Sequence, residues 1–363
     1  MSDIHERVSA VIDAFARGEL VIVTDDDDRE NEGDLFVAAS LCTAEKMAFI
    51  IRNTSGIVCA PLAAEEARRL HLDPMVAAND APLGTAFTVS VDFRHGLTTG
   101  ISAEERTGTV RALANGNAGP GDFVRPGHVF PLIGKEGGVL MRSGHTEACV
   151  DLARLAGLPP VGVLAELMNA DGTVMRGPQV AEFAERHRLN TISIADLIAY
   201  RQARDKLIER VAEFEVGSEI RTLKGYAYVT PFDEVHHMAF VYGRIGAGRN
   251  VLARLHRADV LGDVIGGAKP IHAALQRFKR EGSGVIVYLR DGAAGVPTTA
   301  IPQETGGGSE AARSRQWREV GLGAQILKDL GVSSIRLLSS SHRTYVGLAG
   351  FGIEIVATEP LEG

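Results

Sequence analysis

The sequence predicts layers of strands and helices, α/β or α+β, arranged in two successive domains. Three observations carry this reading. Segments with apolar residues at helical spacing alternate along the chain with short strand-like apolar runs. The 363 residues, 45% hydrophobic and 23% charged, are enough for about two domains that each bury a core. A charged stretch around residue 206 then joins two regions of different character, which places the domains at 1–206 and 207–363.

The chain opens with Ile4, Val8, Ile12 and Phe15 on one helical face, stopped by Gly18, and continues into the strand ELVIVT. That strand runs into DDDDRENEGD, residues 25–34, which is too polar for a core and carries Gly33 for a turn. TAFTVSVDF (85–93) alternates as a half-buried strand does, and GNAGPGDFVRPGH (116–128) reads as a Gly/Pro loop. EACVDLARLAGLPP predicts a short helix closed by Gly157 and Pro159, with VGVLAEL a strand after it. ADLIAYRQARDKLIERVAE (195–213) is a charged helical stretch. The second half predicts strand-like pieces, a helix over 270–281 and the buried strand GVIVYLR. A Gly/Ala/Thr/Pro-rich loop follows from Asp291 to Ser314, then a helix, GLGAQILKDLG, the strand SIRLLS, a further helix and the final strand IEIVA.

Composition excludes several classes. Residues 1–206 carry 20 basic and 29 acidic side chains against 18 and 17 in the rest, so the formal net charge of −8 belongs to the first half. A nucleic-acid partner would need a basic patch, and none is evident. The start, MSDIHERVSAVIDAF, lacks the pattern of an export signal, and no run of about 18 apolar residues predicts a membrane span. Three widely spaced cysteines, Cys42, Cys59 and Cys149, argue against a disulfide framework and for reduced thiols in the cytoplasm.

Seven acids and one arginine fall within residues 25–34, directly after a buried strand. Carboxylates so close repel one another, and a hard divalent cation such as Mg²⁺ or Mn²⁺ relieves this. Arg29 would suit a phosphate or carboxylate. The plain alternative is a solvated acidic loop. In MRSGHTEACVDLARLAG the Ser143-Gly144 turn leads into a helix that starts near Thr146. Free N–H groups there, with Arg142 beside them, suit an anion. Thr146 is an N-cap or a ligand hydroxyl, and His145 a metal ligand or a polar helix start. Glu166 lies among apolar residues, where burial raises a carboxylate's pKa toward useful acid–base chemistry, or else faces solvent at a strand end. His128 on a Gly/Pro loop is an acid–base candidate or a plain surface-loop histidine, and Cys59 reads as a small core residue.

Six ordered segments resemble one family: TDDDDRENEGDLFVAA, SGIVCAPL, TAFTVSVDFRHGLTTGISAEERT, RPGHVFPL, RSGHTEACVDLARLAG and GVLAELMNADGT. The first half is similar to 3,4-dihydroxy-2-butanone 4-phosphate synthase of riboflavin biosynthesis. The resemblance implies a layered domain with a mixed sheet, usually a homodimer, that converts D-ribulose 5-phosphate to L-3,4-dihydroxy-2-butanone 4-phosphate and formate with Mg²⁺ or Mn²⁺. It also implies Glu30 and His145 as metal ligands and His128 and Glu166 as the acid–base pair. Arg29, Glu30, Asp34, Arg142, Ser143, Gly144, His145, Thr146 and Glu166 would contact substrate, with Cys59, Thr98, Thr99 and Glu32 nearby. Glu105 stands where the family commonly has Asp.

The second half resembles GTP cyclohydrolase II, a smaller α/β domain, through RLHRADVLGDVIG, HAALQRFKREGSGVIVYLR, REVGLGAQILKDLGVSSIRLLS and VGLAGFGIEIVATEPL. That family holds zinc with three cysteines, and this half contains none. His256-Arg257-Ala258-Asp259 replaces the first cysteine stretch and GGAKPI stands near the second. Asp259 with His256 or His272 would be a poor substitute for thiolates. Asp291-Gly292-Ala293-Ala294 replaces the family's Glu-Gly-Arg loop, and Gln316 stands at the catalytic Asp, while Arg318 is kept. The expectation is a degenerate domain with no zinc and no GTP hydrolysis. Residual cyclohydrolase activity, or a domain that senses a nucleotide or flavin, are the alternatives.

Overall fold

The computed structural model describes residues 2–25, 30–231, 233–259, 261–290, 321–339 and 353–361. They divide into two units, one running to Tyr200 and one beginning at Arg201. In the first, α1 (Ser2–Ala16) leads to β1 (Val21–Thr24) and β2 (Gly33–Ala38), followed by α2 (Ala44–Asn53), β3 (Cys59–Ala63), α3 (Ala64–Arg69) and β4 (Val91–Phe93). Then come α4 (Ala103–Leu113), β5 (Phe123–Gly134), α5 (His145–Leu155), β6 (Gly162–Glu166), α6 (Pro178–His187), β7 (Asn190–Ser193) and α7 (Ile194–Arg204).

The sheet order is β4-β5-β3-β6-β2-β1-β7, mixed in direction because β1–β2 and β2–β6 are antiparallel while β3–β5 and β1–β7 are parallel. All six residues of β2 are buried. A strand covered on both faces cannot alternate polar and apolar residues, which is why GDLFVA reads as a run. Ile22, Leu35, Val37, Met47, Ile50 and Leu62 are among the core residues, each with no exposed surface. Helix starts are fixed by side chains where the sequence supplies them. Thr43 Oγ1 accepts the Lys46 N–H before α2, and Ser102 Oγ accepts the Glu105 N–H before α4.

The second unit holds β8 (Glu209–Val216), β9 (Leu223–Thr230), β10 (Asp233–Tyr242), β11 (Val251–Arg257), α8 (Lys269–Glu281), β12 (Gly284–Leu289), β13 (Ser334–Ser339) and β14 (Glu354–Pro360). Residues 321–329 are helical. The strand order is β14-β13-β11-β12-β10-β9-β8. The neighbours β11–β12, β11–β13 and β13–β14 run parallel. Leu252, Leu275, Phe278, Ile286 and Leu338 pack its core.

Three local expectations are corrected. The helix expected over 195–213 ends at Arg204, and residues 209–216 form a strand paired with β9. The Gln325 side chain accepts the Leu207 N–H and donates to the Asp205 carbonyl, so a side chain satisfies backbone that another helical turn would have used. TAFTVSVDF contributes only Val91–Phe93 to the ladder, with residues 87 and 88 in isolated bridges. The loop expected over 116–128 gives way to β5 at Phe123. Both follow from one irregularity: Val91 pairs with Val129 but Asp92 with Val124. Residues 125–128 therefore form a bulge in β5, with Gly127 close against the Val91–Asp92 backbone, and Pro126 sits where no ladder donor is needed. The 291–314 loop and the helix expected before the last strand lie outside the described residues.

Candidate active site

Antiparallel pairing of β1 with β2 sets Thr24 opposite Gly33 and Val23 opposite Asp34, so the described residues of the acidic run, 25 and 30–34, lie at one end of the sheet. Asp25, buried at the end of β1, accepts the Glu30 N–H at 3.0 Å and the Glu32 N–H at 2.9 Å. Its carboxylate thus folds the loop and fixes Glu30. His145, the first residue of α5, brings Nδ1 to 3.5 Å from Glu30 Oε2, and its ring packs on the edge of Phe36. Asp25, Glu30 and His145 each offer one ligand atom within 4.8 Å of the others. Among the described residues this is the one cluster with metal-ligating composition. Arg29 lies outside the described residues.

The β2–β6 register puts Asp34 directly opposite Glu166. Asp34 is fully enclosed, and burial, partly opposed by His145 and reinforced by Glu166, pushes its carboxyl up to about 7. Among the described residues its Oδ1 is buried without a hydrogen-bond partner. Glu166 ends β6 and is half-buried rather than enclosed; Ser55 Oγ donates to its Oε2 at 2.7 Å. Burial, with Glu30 next, also raises the Glu32 carboxyl. Cys59 is buried beside them, and burial plus the charges of Glu166 and Asp34 push its thiol up, so it stays protonated and is no nucleophile at neutral pH.

His128 stands in the β5 bulge. Its backbone N–H donates to Asp92 Oδ1 at 2.9 Å and its Nδ1 lies 2.7 Å from Oδ2 of the same buried carboxylate. A carboxylate against Nδ1 favours the tautomer with its proton there, which leaves Nε2 as the other ring nitrogen. Gly100 presses on the pair from the other side: a Cβ there would lie 2.1 Å from Asp92 Oδ2. Strands β3 and β5 pair Cys59 with Phe130, and β3 pairs Cys59 with Leu164 of β6. His128 and Glu166 therefore lie at the same end of the sheet, two strand spacings or about 10 Å apart. Among the described residues no hydrogen bond joins them.

The turn before α5 differs from expectation in one respect. The N-cap is Gly144, with no side-chain cap, and Thr146 is already helical. A helix start of this kind, opened by a glycine, is a place that suits an anion. Ser143, Gly144, His145 and Thr146 form this turn, and Arg142 beside it donates through Nη1 to Glu147 Oε2 at 2.7 Å. Sequence reasoning missed Asp92, Ser55 and Glu147. Asp92 carries a usable signal, an acid in the apolar alternation of TVSVDF. The other two carry none.

In the second unit the residues near the expected zinc positions are engaged with one another. His256 Nε2 lies 2.8 Å from Asp263 Oδ1, whose Oδ2 accepts Tyr288 Oη at 2.7 Å and the Asp259 N–H at 3.0 Å. Asp259 itself accepts the Leu261 and Gly262 N–H groups, and His272 Nδ1 meets Glu219 at 2.7 Å. Asp291 to Ala294, Gln316 and Arg318 lie outside the described residues.

A mixed sheet presenting clustered carboxylates, a carboxylate-fixed histidine and an uncapped helix start defines an α/β enzyme built for acid–base work on an anionic substrate. The 3,4-dihydroxy-2-butanone 4-phosphate synthase family profile matches residues 9–200, and that of GTP cyclohydrolase II matches residues 209–360. The chain belongs to the 3,4-dihydroxy-2-butanone 4-phosphate synthase family and carries a GTP cyclohydrolase II-family domain behind it. It is 43% identical to the bifunctional riboflavin biosynthesis protein RIBA 1 of Arabidopsis thaliana, over 98% of this chain and 68% of that one. Among solved structures, RibBX, a two domain 3,4-dihydroxy-2-butanone 4-phosphate synthase from A. baumannii, matches at TM-score 0.81 and 35% identity. It covers 98% of this chain and 99% of its own. A 3,4-dihydroxy-2-butanone 4-phosphate synthase in complex with two magnesium ions matches at TM-score 0.53 and 46% identity, over 54% of this chain and 97% of that one. Among the described residues no helix is long and apolar enough to cross a membrane.

Proposed function

We propose that this chain works as a single-activity lyase. It converts D-ribulose 5-phosphate to L-3,4-dihydroxy-2-butanone 4-phosphate and formate in riboflavin biosynthesis, while residues 207–363 perform no GTP hydrolysis and hold no zinc. The observation that carries this is a contrast. Residues 1–206 keep the Glu30–His145 pair beside opposed Asp34 and Glu166, whereas the chain has no cysteine after Cys149. Thiolate zinc cannot be assembled without thiols, and Asp259 and the Nε2 of His256 are engaged in hydrogen bonds with neighbouring residues 261–263.

Glu30 and His145 fit Mg²⁺ or Mn²⁺. They offer a hard carboxylate oxygen and an imidazole nitrogen amid an excess of negative charge, with Asp25 shaping the loop between them. Such an ion supplies positive charge against the oxygen atoms on which negative charge develops. The protein's own groups carry the proton traffic. Removing the proton next to the ribulose carbonyl requires a base, and loss of the terminal hydroxyl, rearrangement of the carbon skeleton and expulsion of formate require further transfers. His128, held by Asp92, and Glu166, held by Ser55, lie on different strands and so serve different atoms of the substrate. Asp34, part-protonated near neutrality, can give or take a proton opposite Glu166. The Arg142 to Thr146 turn holds the phosphate and fixes the reacting carbons against these groups, and Arg29 adds a further anion contact.

The enzyme acts as a homodimer in the cytoplasm. A bifunctional reading is favoured by the GTP cyclohydrolase II family match over residues 209–360 and by the description of the plant relative. Formate release from GTP by clean protein separates the two.

A further inference from the structure

His128 and Glu166 share no hydrogen bond among the described residues, yet one buried cation bears on the segments that hold both. Arg106 lies on α4 and is 5% exposed. Its Nη1 donates to the Gly56 carbonyl at 3.0 Å. Gly56 follows Ser55, whose hydroxyl donates to Glu166 Oε2 at 2.7 Å and whose N–H donates to the Glu166 carbonyl at 2.9 Å. Among the described residues the Arg106 Nε is buried without an acceptor. Burial lowers the guanidinium's pKa, and the charge that opposes this is Asp92, the carboxylate that holds His128. One turn further along α4, Thr109 Oγ1 accepts the Phe93 N–H at 2.9 Å. The residue after Asp92 is thereby tied to the same helix.

We propose that Arg106 is a positioning residue for the acid–base pair, joining the 55–56 turn that holds Glu166 to the Asp92 carboxylate that holds His128. This rests on the reading of His128 and Glu166 as the proton carriers. A guanidinium suits the place because it stays charged when buried and donates from a planar fork. One side chain can then bond a carbonyl while its charge stands against a carboxylate. Packing alone explains the residue less well, since burying a cation is costly and an apolar side chain at the same point of α4 would avoid that cost. Loss of the guanidinium frees the Gly56 carbonyl, loosens the turn beneath Ser55 and removes the positive charge near Asp92. Neither proton carrier is removed, so substrate and metal contacts persist while proton transfer loses its alignment.

The test uses the full-length chain with two variants: Arg106→Met removes the charge and the donors, and Arg106→Lys keeps the charge without the fork. KM and kcat are read by formate release from ribulose 5-phosphate, and Mn²⁺ affinity by EPR. In Arg106→Met kcat should fall ~tenfold or more, with KM and Mn²⁺ affinity within about threefold of wild type. Arg106→Lys should lose less, about threefold to fivefold in kcat, and serves in its place if Arg106→Met does not fold. Ser55→Ala supplies a second comparison. The Arg106 substitution should cost several-fold less kcat in that background than in wild type, because both act on Glu166 through one turn. Wild-type kcat in either Arg106 variant overturns the proposal. A rise in KM or a loss of Mn²⁺ affinity as large as the fall in kcat also overturns it, as the sign of a direct ligand or of general loosening. Fully multiplicative losses with Ser55→Ala overturn it too. Near-wild-type formate release in both His128→Ala and Glu166→Ala instead removes the reading beneath it, whatever the Arg106 variants show.

Discussion

Asp92 Oδ2 lies 2.7 Å from His128 Nδ1, and Oδ1 of the same carboxylate accepts that histidine's backbone N–H at 2.9 Å. One buried acid therefore sets the position, the ring orientation and the tautomer of the candidate base. Asp92→Asn can still accept a hydrogen bond, but it no longer enforces the proton on Nδ1. Formate release from ribulose 5-phosphate should fall ~10²-fold or more, and His128→Ala should fall at least as far. Near-wild-type turnover in both variants would remove His128 from the acid–base chemistry.

Glu30 is aimed by Asp25 and faces His145. Glu30→Ala should abolish the Mg²⁺- or Mn²⁺-dependent part of the activity, and chelator should silence the wild-type protein. Titration with Mn²⁺ checks this directly, since the variant is expected to bind it ~100-fold more weakly. Full activity of Glu30→Ala in chelator would show that Glu30 is not a ligand.

Gly100 has φ +81 and touches both members of the histidine pair. Gly100→Ala adds a methyl against Asp92 Oδ2 in a backbone conformation that disfavours any side chain. A loss of about 1–3 kcal/mol in unfolding free energy is expected, with a larger proportional loss of turnover as the pair is displaced. Denaturant titration alongside the formate assay measures both. A variant as active and stable as wild type would mean the loop can move away freely.

Glu105 accepts hydrogen bonds from the Thr98 N–H and hydroxyl, and these hold its carboxyl down at about 2. Its folded pKa lies below its unfolded value of about 4.3. Its contribution to stability is therefore present above pH ~4.3 and lost as pH falls toward 2. Glu105→Gln should be less stable than wild type at neutral pH, with the difference in Tm shrinking between pH 5 and pH 2. A difference that stays constant across that range would contradict the hydrogen-bond origin of the shift.

Much of this architecture is legible in the sequence, and the exceptions have physical causes. The helix from Ser2 announces itself by its helical period, and the strands around Val21 and Val163 by short apolar runs that are buried throughout. The metal candidates Glu30 and His145 are legible as residue types, one in an improbable density of acid and one at a helix start. Asp92 and Glu147 are harder to see because their importance comes from partners 36 and 5 residues away, which periodicity does not report. Residues 209–213 read as helix because their charges hide the strand pattern that begins at Val211, and pairing with β9 decides the outcome.

The central claim is one working active site and one retired one. A formate assay on clean full-length protein, with ribulose 5-phosphate and GTP supplied separately and each tested with and without chelator, addresses it directly. Formate should appear from ribulose 5-phosphate only, and only without chelator. Formate from GTP, or none from ribulose 5-phosphate with Mg²⁺ present, would contradict it.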